Sequence, residues 1–89
     1  MVPWLSVVIP FRDEAPSLAE LYAELSRVLD GFAFESEMIF VDDESADAGG
    51  VVVGLLGAQD ARVRLLSLSP HSGQSAALEA GFRAARGEV

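Results

Sequence analysis

Three short apolar runs govern what this chain can fold into: "LSVVI" at residues 5–9, "EMIFV" at 37–41 and "VRLLSL" at 63–68. Each is strand-sized, and each is followed by a polar loop and a segment suited to a helix. After its leading glutamate the middle run is apolar without alternation, the pattern of a strand covered by helices on both faces. Parallel neighbours need a crossover between them, and that crossover is right-handed. The order βαβαβα therefore predicts an α/β fold with a Rossmann-like parallel sheet.

The local signals fill in this outline. Pro10 closes the first run, because it has no N–H to give to a ladder. Leu18, Leu21, Tyr22, Leu25, Val28 and Leu29 then recur at helical spacing, with Ser17 and Glu20 placed as a capping box and Gly31 as the stop. A loop is expected from Asp42 onward. A second helix over residues 47–58, begun by Asp47, is needed as a crossover, although four glycines and three consecutive valines lower its propensity. Beyond the breaker "SPHSG", Leu78, Gly81, Phe82 and Ala85 mark one face of a third helix that ends near Gly87. Trp4 and Phe82 read as core or edge packing rather than as a ligand platform. The ending "RGEV" reads as the start of a further strand at Val89, so half of a doubly wound sheet, and hence part of a longer chain, is expected.

Composition excludes several functions. A chain of 89 residues makes one small domain, burying roughly 60 to 65% of the surface its unfolded form exposes. Hydrophobic residues are 51% of it, enough for a packed core rather than a disordered chain. Fourteen acids against six arginines and no lysine give a net charge of −8, which argues against nucleic acid or anionic lipid as a partner. Without cysteine, and with His71 the single histidine, there is neither a thiolate nor a multi-histidine metal site. No apolar stretch approaches the roughly 20 residues of a membrane span, and the first residues lack the basic region of a signal peptide.

Ligands of open parallel sheets bind outside the carboxyl ends of the strands. Three loops lie on that edge: "PFRDE", "DDESAD" and "SPHSG". Carboxylates grouped there can accept hydrogen bonds from a base or ribose, or ligate a hard cation such as Mg2+ or Mn2+. They can equally cap helix N-termini, where free N–H groups and the positive end of the macrodipole face them. The doubled Asp42-Asp43 exceeds what one cap needs. Arg12 is placed either to pair with the neighbouring acids or to meet a nucleotide. His71 has no acid beside it in sequence and reads as a loop residue rather than a base.

"SVVIPFRDE", "EMIFVDDESADAG" and "RLLSLSPHSGQSAALEAGFRAARGE" together resemble the three opening motifs of family 2 glycosyltransferases, in order and in spacing, over almost the whole chain. The "GQSAAL" form resembles the branch that moves a sugar from a nucleotide donor to a polyprenyl or dolichyl phosphate. This resemblance implies the first half of a GT-A fold, with residues 1–89 as its N-terminal nucleotide-binding part. By position it sets Pro10, Phe11, Arg12 and Glu14 against base and ribose. It puts the carboxylate that accepts from a base N–H among Asp42 and Asp43, gives Asp47 the shaping of the loop and following helix start, and brings Gly73 and Gln74 near the nucleotide. It further implies a UDP- or GDP-sugar donor, a lipid-phosphate acceptor, and Mg2+ or Mn2+ held by residues beyond Val89. No catalytic residue and no metal ligand is expected within the 89 residues, which alone would be inactive. The implied location is the cytoplasm, at the cytoplasmic face of a membrane through regions outside this chain.

The sequence departs from the usual motifs in four places. Asp13 replaces the usual Asn, Glu44 the usual Gly, Pro70 a common basic residue and His71 a common Asn. A glutamate at 44 implies a backbone that does not need positive φ and a side chain left in solvent. Two other readings stay open. One is a receiver-like, Mg2+-binding module, against which the acid pair follows the second strand rather than the first. The other is a homo-oligomer built through the open edge or uncovered face of an unfinished sheet.

Overall fold

The structure, a computed structural model, describes residues 5–70 and 73–87. Trp4, His71 and Val89 lie outside the described residues. Six elements follow one another: β1 (Leu5–Phe11), α1 (Ala15–Asp30), β2 (Ser36–Asp43), α2 (Gly49–Gln59), β3 (Val63–Leu68) and α3 (Gln74–Ala84). The strands form one parallel sheet in the order β1-β2-β3, with Leu5 opposite Ser36 and Met38 opposite Val63.

β2 is the central strand, and its two faces are buried by different helices. Met38 and Phe40 pack with Leu18 and Leu29 of α1 and Val53 of α2, while Ile39 and Val41 pack with Ala77 of α3. All four strand residues are fully buried, as a run without alternation requires. Phe11 meets Phe40 edge-to-face at 6.4 Å between centroids on the α1/α2 side, a geometry favoured by the ring quadrupoles.

Several boundaries differ from the sequence expectations, each for a local reason. β1 continues through Pro10 to Phe11. Leu5 donates to Glu35 O, and alternate residues of a strand address the same neighbour, so Pro10 falls in the outward phase of an edge strand where no N–H is called upon. α1 begins at Ala15, ahead of the apolar periodicity, and the Ser17–Glu20 capping box is not formed: Glu14 is the N-cap without a side-chain cap bond, and the Ser17 N–H donates to Glu14 O at 2.9 Å. Pro16 in the first turn suits this start, because its fixed φ is already helical. β2 extends through both Asp42 and Asp43, and α2 starts at Gly49 rather than Asp47.

α3 buries Ala77 and Gly81, not Phe82, which is 49% exposed. The reason is close approach. A Cβ on Gly81 would collide with Val8 Cγ1 and sit 3.2 Å from Val41 Cγ2, so only small residues fit the inner face and the ring is carried outward.

Two carboxylates, Glu37 buried and Asp60 partly buried, tie the layers together. On the α3 side, Glu37 accepts from Ser6 Oγ (2.6 Å), Arg64 Nη1 (2.8 Å) and the Arg86 N–H (2.7 Å), and Ser6 Oγ accepts from the Gly87 N–H. Burial alone would raise the Glu37 pKa, but these three donors and the Arg64 charge outweigh it and hold the carboxyl below its usual value. On the other side, Asp60 accepts from Arg62 and from Tyr22 Oη (2.7 Å) of α1. The Arg62 hydrogen bonds, against the cost of burial and with help from Tyr22, hold Asp60 far below the ordinary carboxylate range.

Both groups have depressed folded-state pKa values, so their stabilisation is present above the unfolded carboxylate values, about pH 4, and is lost as pH falls through the folded ones. The urea midpoint of the chain should therefore drop steeply below about pH 4, and Glu37→Gln with Asp60→Asn should flatten that dependence; equal slopes would contradict the assignment. Gly81→Ala should destabilise by about 1–3 kcal/mol in the same measurement through overpacking. Gly54→Ala, whose new methyl meets nothing within 4 Å, should instead stabilise α2 by about 0.5–1 kcal/mol.

Candidate functional site

The helices that follow β1 and β3 lie on opposite faces of the sheet, so a crevice opens between them at the carboxyl end of β1, where open α/β sheets bind ligands. It has a volume of about 350 Å³. Ile9, Pro10 and Phe11 form its floor. Ser17, Leu18 and Leu21 of α1 form one wall and Gln74 and Ala77 of α3 the other, with Arg12, Glu14 and Asp43 as its charged groups.

The paired aspartates at the end of β2 are separated by the period of the strand. Side chains two apart share a face, so Asp42 follows Met38 and Phe40 toward α2, while Asp43 follows Ile39 and Val41 toward α3. Asp43 is 3% exposed, lines the crevice and accepts from the Gly73 N–H through Oδ2 at 2.9 Å. Asp42 does not line it. Its Oδ1 accepts from the Ser45 N–H at 2.8 Å, and its Oδ2 lies where a Cβ on Gly50 would be 3.0 Å away. Of the eight residues that the family motifs point to, the fold brings Pro10, Phe11, Arg12, Glu14, Asp43 and Gln74 together. Gly73 joins them through its N–H, and Asp42 stays apart.

The remaining acids clasp the first two loops. Asp13 Oδ1 accepts from the Ala46 and Asp47 N–H groups (2.6 and 3.3 Å), and the Asp13 N–H donates to Ser45 Oγ at 3.0 Å. In return Asp47 Oδ2 accepts from the Ala15 N–H at the start of α1 (3.0 Å), and Oδ1 from the Gly49 N–H at the start of α2 (2.9 Å). The Asp13 clasp was not foreseen from the sequence. Its signal was present: an acid is among the few residues that tolerate the left-handed region, and Asp13 has φ 54°.

Glu44 corrects an expectation. Its φ is 55°, so the backbone does require the left-handed region that glycine adopts freely. Ser69 Oγ donates to Glu44 Oε2 at 2.7 Å, a contact that holds the exposed side chain across to the third loop.

A family model described as glycosyl transferase family 2 matches residues 6–89. The chain belongs to that family. An undecaprenyl-phosphate 4-deoxy-4-formamido-L-arabinose transferase of Pseudomonas fluorescens strain SBW25 is 37% identical over 86 residues, which are 96% of this chain and 25% of the relative. A dodecaprenyl-phosphate galacturonate synthase of Rhizobium johnstonii is 33% identical over 86 residues, with the same two shares. A solved structure of the mannosyltransferase PcManGT from Pyrobaculum calidifontis, in complex with GDP-Man and Mn2+, superposes with a TM-score of 0.79 and 21% identity over 96% of this chain and 25% of that one. This last likeness is one of fold: the glycosyltransferase chain has the architecture of the first, Rossmann-like half of a GT-A domain. The chain spans about a quarter of the length of these relatives.

Among the described residues no three His, Asp or Glu side chains converge to hold a metal ion, and no helix is long and apolar enough to cross a membrane. Asp47→Ala should cost about 1–2 kcal/mol of stability, since two helix-start N–H groups lose their acceptor. Glu44→Gly should gain about 0.5–1 kcal/mol by relieving the left-handed backbone. Chemical denaturation measures both, and a neutral Asp47→Ala would contradict the clasp.

Proposed function

We propose that this chain is the donor-nucleotide-binding part of a glycosyltransferase that takes a UDP- or GDP-sugar and delivers the sugar to a polyprenyl-type lipid phosphate. The observation that carries the reading is Asp43: a buried carboxylate at the crevice wall that accepts from the Gly73 N–H, beside an apolar floor of Pro10 and Phe11. A carboxylate so placed accepts from a ring N–H of a base, while the floor packs against the base plane. Glu14 and Gln74 are within the same crevice for ribose hydroxyls, and Arg12 is its cation. Asp42 and Asp47 act through the loops. The acceptor class is supported by relatives named for undecaprenyl and dodecaprenyl phosphate, which also supports a location at the cytoplasmic face of a membrane.

The diphosphate is a separate question. In many α/β nucleotide sites helix N-termini bind phosphate through free N–H groups. Here one N–H at the start of each of α1, α2 and α3 donates to Asp47, Asp47 and Asp43 respectively, so the acids compete with an anion at these starts. A divalent cation supplies the missing positive charge in this proposal, as Mn2+ accompanies GDP-Man in the mannosyltransferase structure. The described residues do not form a set that fits it, so its ligands belong outside them. β1, an edge strand without a charged residue, is where two copies would pair if the chain self-associates.

Calorimetric titration of the chain with UDP and GDP tests the reading. Saturable binding of at least one is expected. Asp43→Asn should weaken it about tenfold or more, the scale of a hydrogen bond to a charged group, and Asp42→Asn should weaken it less. Binding of neither nucleotide, or equal losses in the two variants, would overturn it. Sugar transfer by the 89 residues alone is not expected, and turnover would contradict the assignment of catalysis to other parts of the protein.

A further inference from the structure

We infer that Asp13 is a positioning residue for the crevice: by tying the loop after β1 to the loop after β2, it fixes where Arg12 and Glu14 stand against the ligand. This role rests on the proposed nucleotide reading and extends it to a residue that acts through its neighbours. Asp13 does not line the crevice, yet the residues on either side of it do. Its Oδ1 accepts from the Ala46 and Asp47 N–H groups at 2.6 and 3.3 Å, and its own N–H donates to Ser45 Oγ at 3.0 Å. All three partners lie 32 to 34 positions further along the chain, between β2 and α2. The Ala15 N–H in turn donates to Asp47 Oδ2. The first loop is therefore anchored at Asp13 and Ala15, and it presents Arg12 and Glu14 to the crevice.

The core does not set the conformation of Asp13. Its side chain is 43% exposed and belongs to neither apolar cluster, and its φ of 54° is strained for a residue with a side chain. Strain of this kind persists where surrounding interactions over-determine it, and the hydrogen bonds to the second loop do so here. The second oxygen of the same carboxylate, Oδ2, lies 4.0 Å from Arg12 Nη1. An exposed pair at that distance contributes little, so the bonds to Oδ1 carry the positioning. A loop ordered before the ligand arrives lowers the ordering cost of binding. Losing the Oδ1 acceptor should free Arg12 and Glu14 and leave Pro10, Phe11, Asp43 and Gln74 in place, because these four belong to strands and to α3.

Order parameters of the Arg12 and Glu14 amides in the free 15N-labelled chain, with calorimetric titration by UDP and GDP, test this on Asp13→Asn, Asp13→Gly and Asp13→Ala. Asn keeps an oxygen acceptor and tolerates positive φ; Gly loses the acceptor without strain, and Ala loses it with strain. The unaltered chain and Asp13→Asn should show about 0.85 at both amides, as rigid backbone does, and the Gly and Ala variants below about 0.6. Asp13→Gly should weaken whichever nucleotide the unaltered chain binds by about fivefold or more, and Asp13→Asn by about twofold or less. The urea midpoint of Asp13→Gly should stay near that of the unaltered chain, since relief of the left-handed backbone offsets the lost exposed bonds. A merely structural role would lower that midpoint and loosen α1 and β2 alike, which would overturn the inference. Amides that stay rigid in Asp13→Gly, an affinity that it leaves unchanged, or a loss that Asp13→Asn does not restore would overturn it too. If Asp13→Ala does not fold, Asp13→Gly decides. Failure of the unaltered chain to bind either nucleotide would overturn the nucleotide reading, while the order parameters would still decide whether Asp13 fixes Arg12 and Glu14.

Discussion

The burial of β2 on both faces is the constraint on which the rest of this structure depends. A strand with Met38 and Phe40 on one face and Ile39 and Val41 on the other must be covered twice, and among the described residues the cover comes from the three helices. α1 and α2 take one face and α3 the other. The change of face between α2 and α3 opens the crevice at the end of β1, and the same two-residue period sends Asp42 and Asp43 to different sides. Core packing and site geometry are therefore one decision, taken at the level of the strand.

The negative charge at the carboxyl edge has a physical account in the same terms. Asp13, Asp42, Asp43 and Asp47 each accept at least one backbone N–H from a loop or helix start. Helix starts at the ligand edge leave unpaired donors and a positive dipole end; Asp47 takes one such donor each from α1 and α2 and Asp43 one from α3, while Asp13 and Asp42 accept from the loop between β2 and α2. Asp43 differs from the others in lining the crevice and being almost wholly buried. That combination is why the proposed nucleotide reading assigns recognition to Asp43 rather than to the other three.

Much of this was legible in the sequence. Strand periods and helical spacing were enough for the order of elements, and the third strand falls on residues 63–68 as expected. What could not be read were features set by partners distant in sequence. The α1 start depends on Asp47, 32 positions away, and a capping box inferred from Ser17 and Glu20 alone could not include it. The inward face of α3 depends on how near Val8 lies to Gly81, so Phe82 looked like core by spacing and is displaced by distance. Glu44 shows a limit of residue preference: positive φ was discounted because glycine was absent, yet the loop between β2 and α2 imposes it. The separation of Asp42 from Asp43 was implicit in the strand period, but only if β2 extends through both, and the sequence suggested a loop there.

The central claim is that a nucleotide occupies the crevice beside Asp43. Amide chemical-shift mapping of the 15N-labelled chain during titration with UDP and GDP tests it most directly. The account predicts shifts concentrated at Phe11, Arg12, Asp43, Gly73 and Gln74, with Ser36, Glu37 and Arg62 at the opposite edge of the sheet unmoved. Shifts centred on that opposite edge, or spread evenly over the chain, would contradict it.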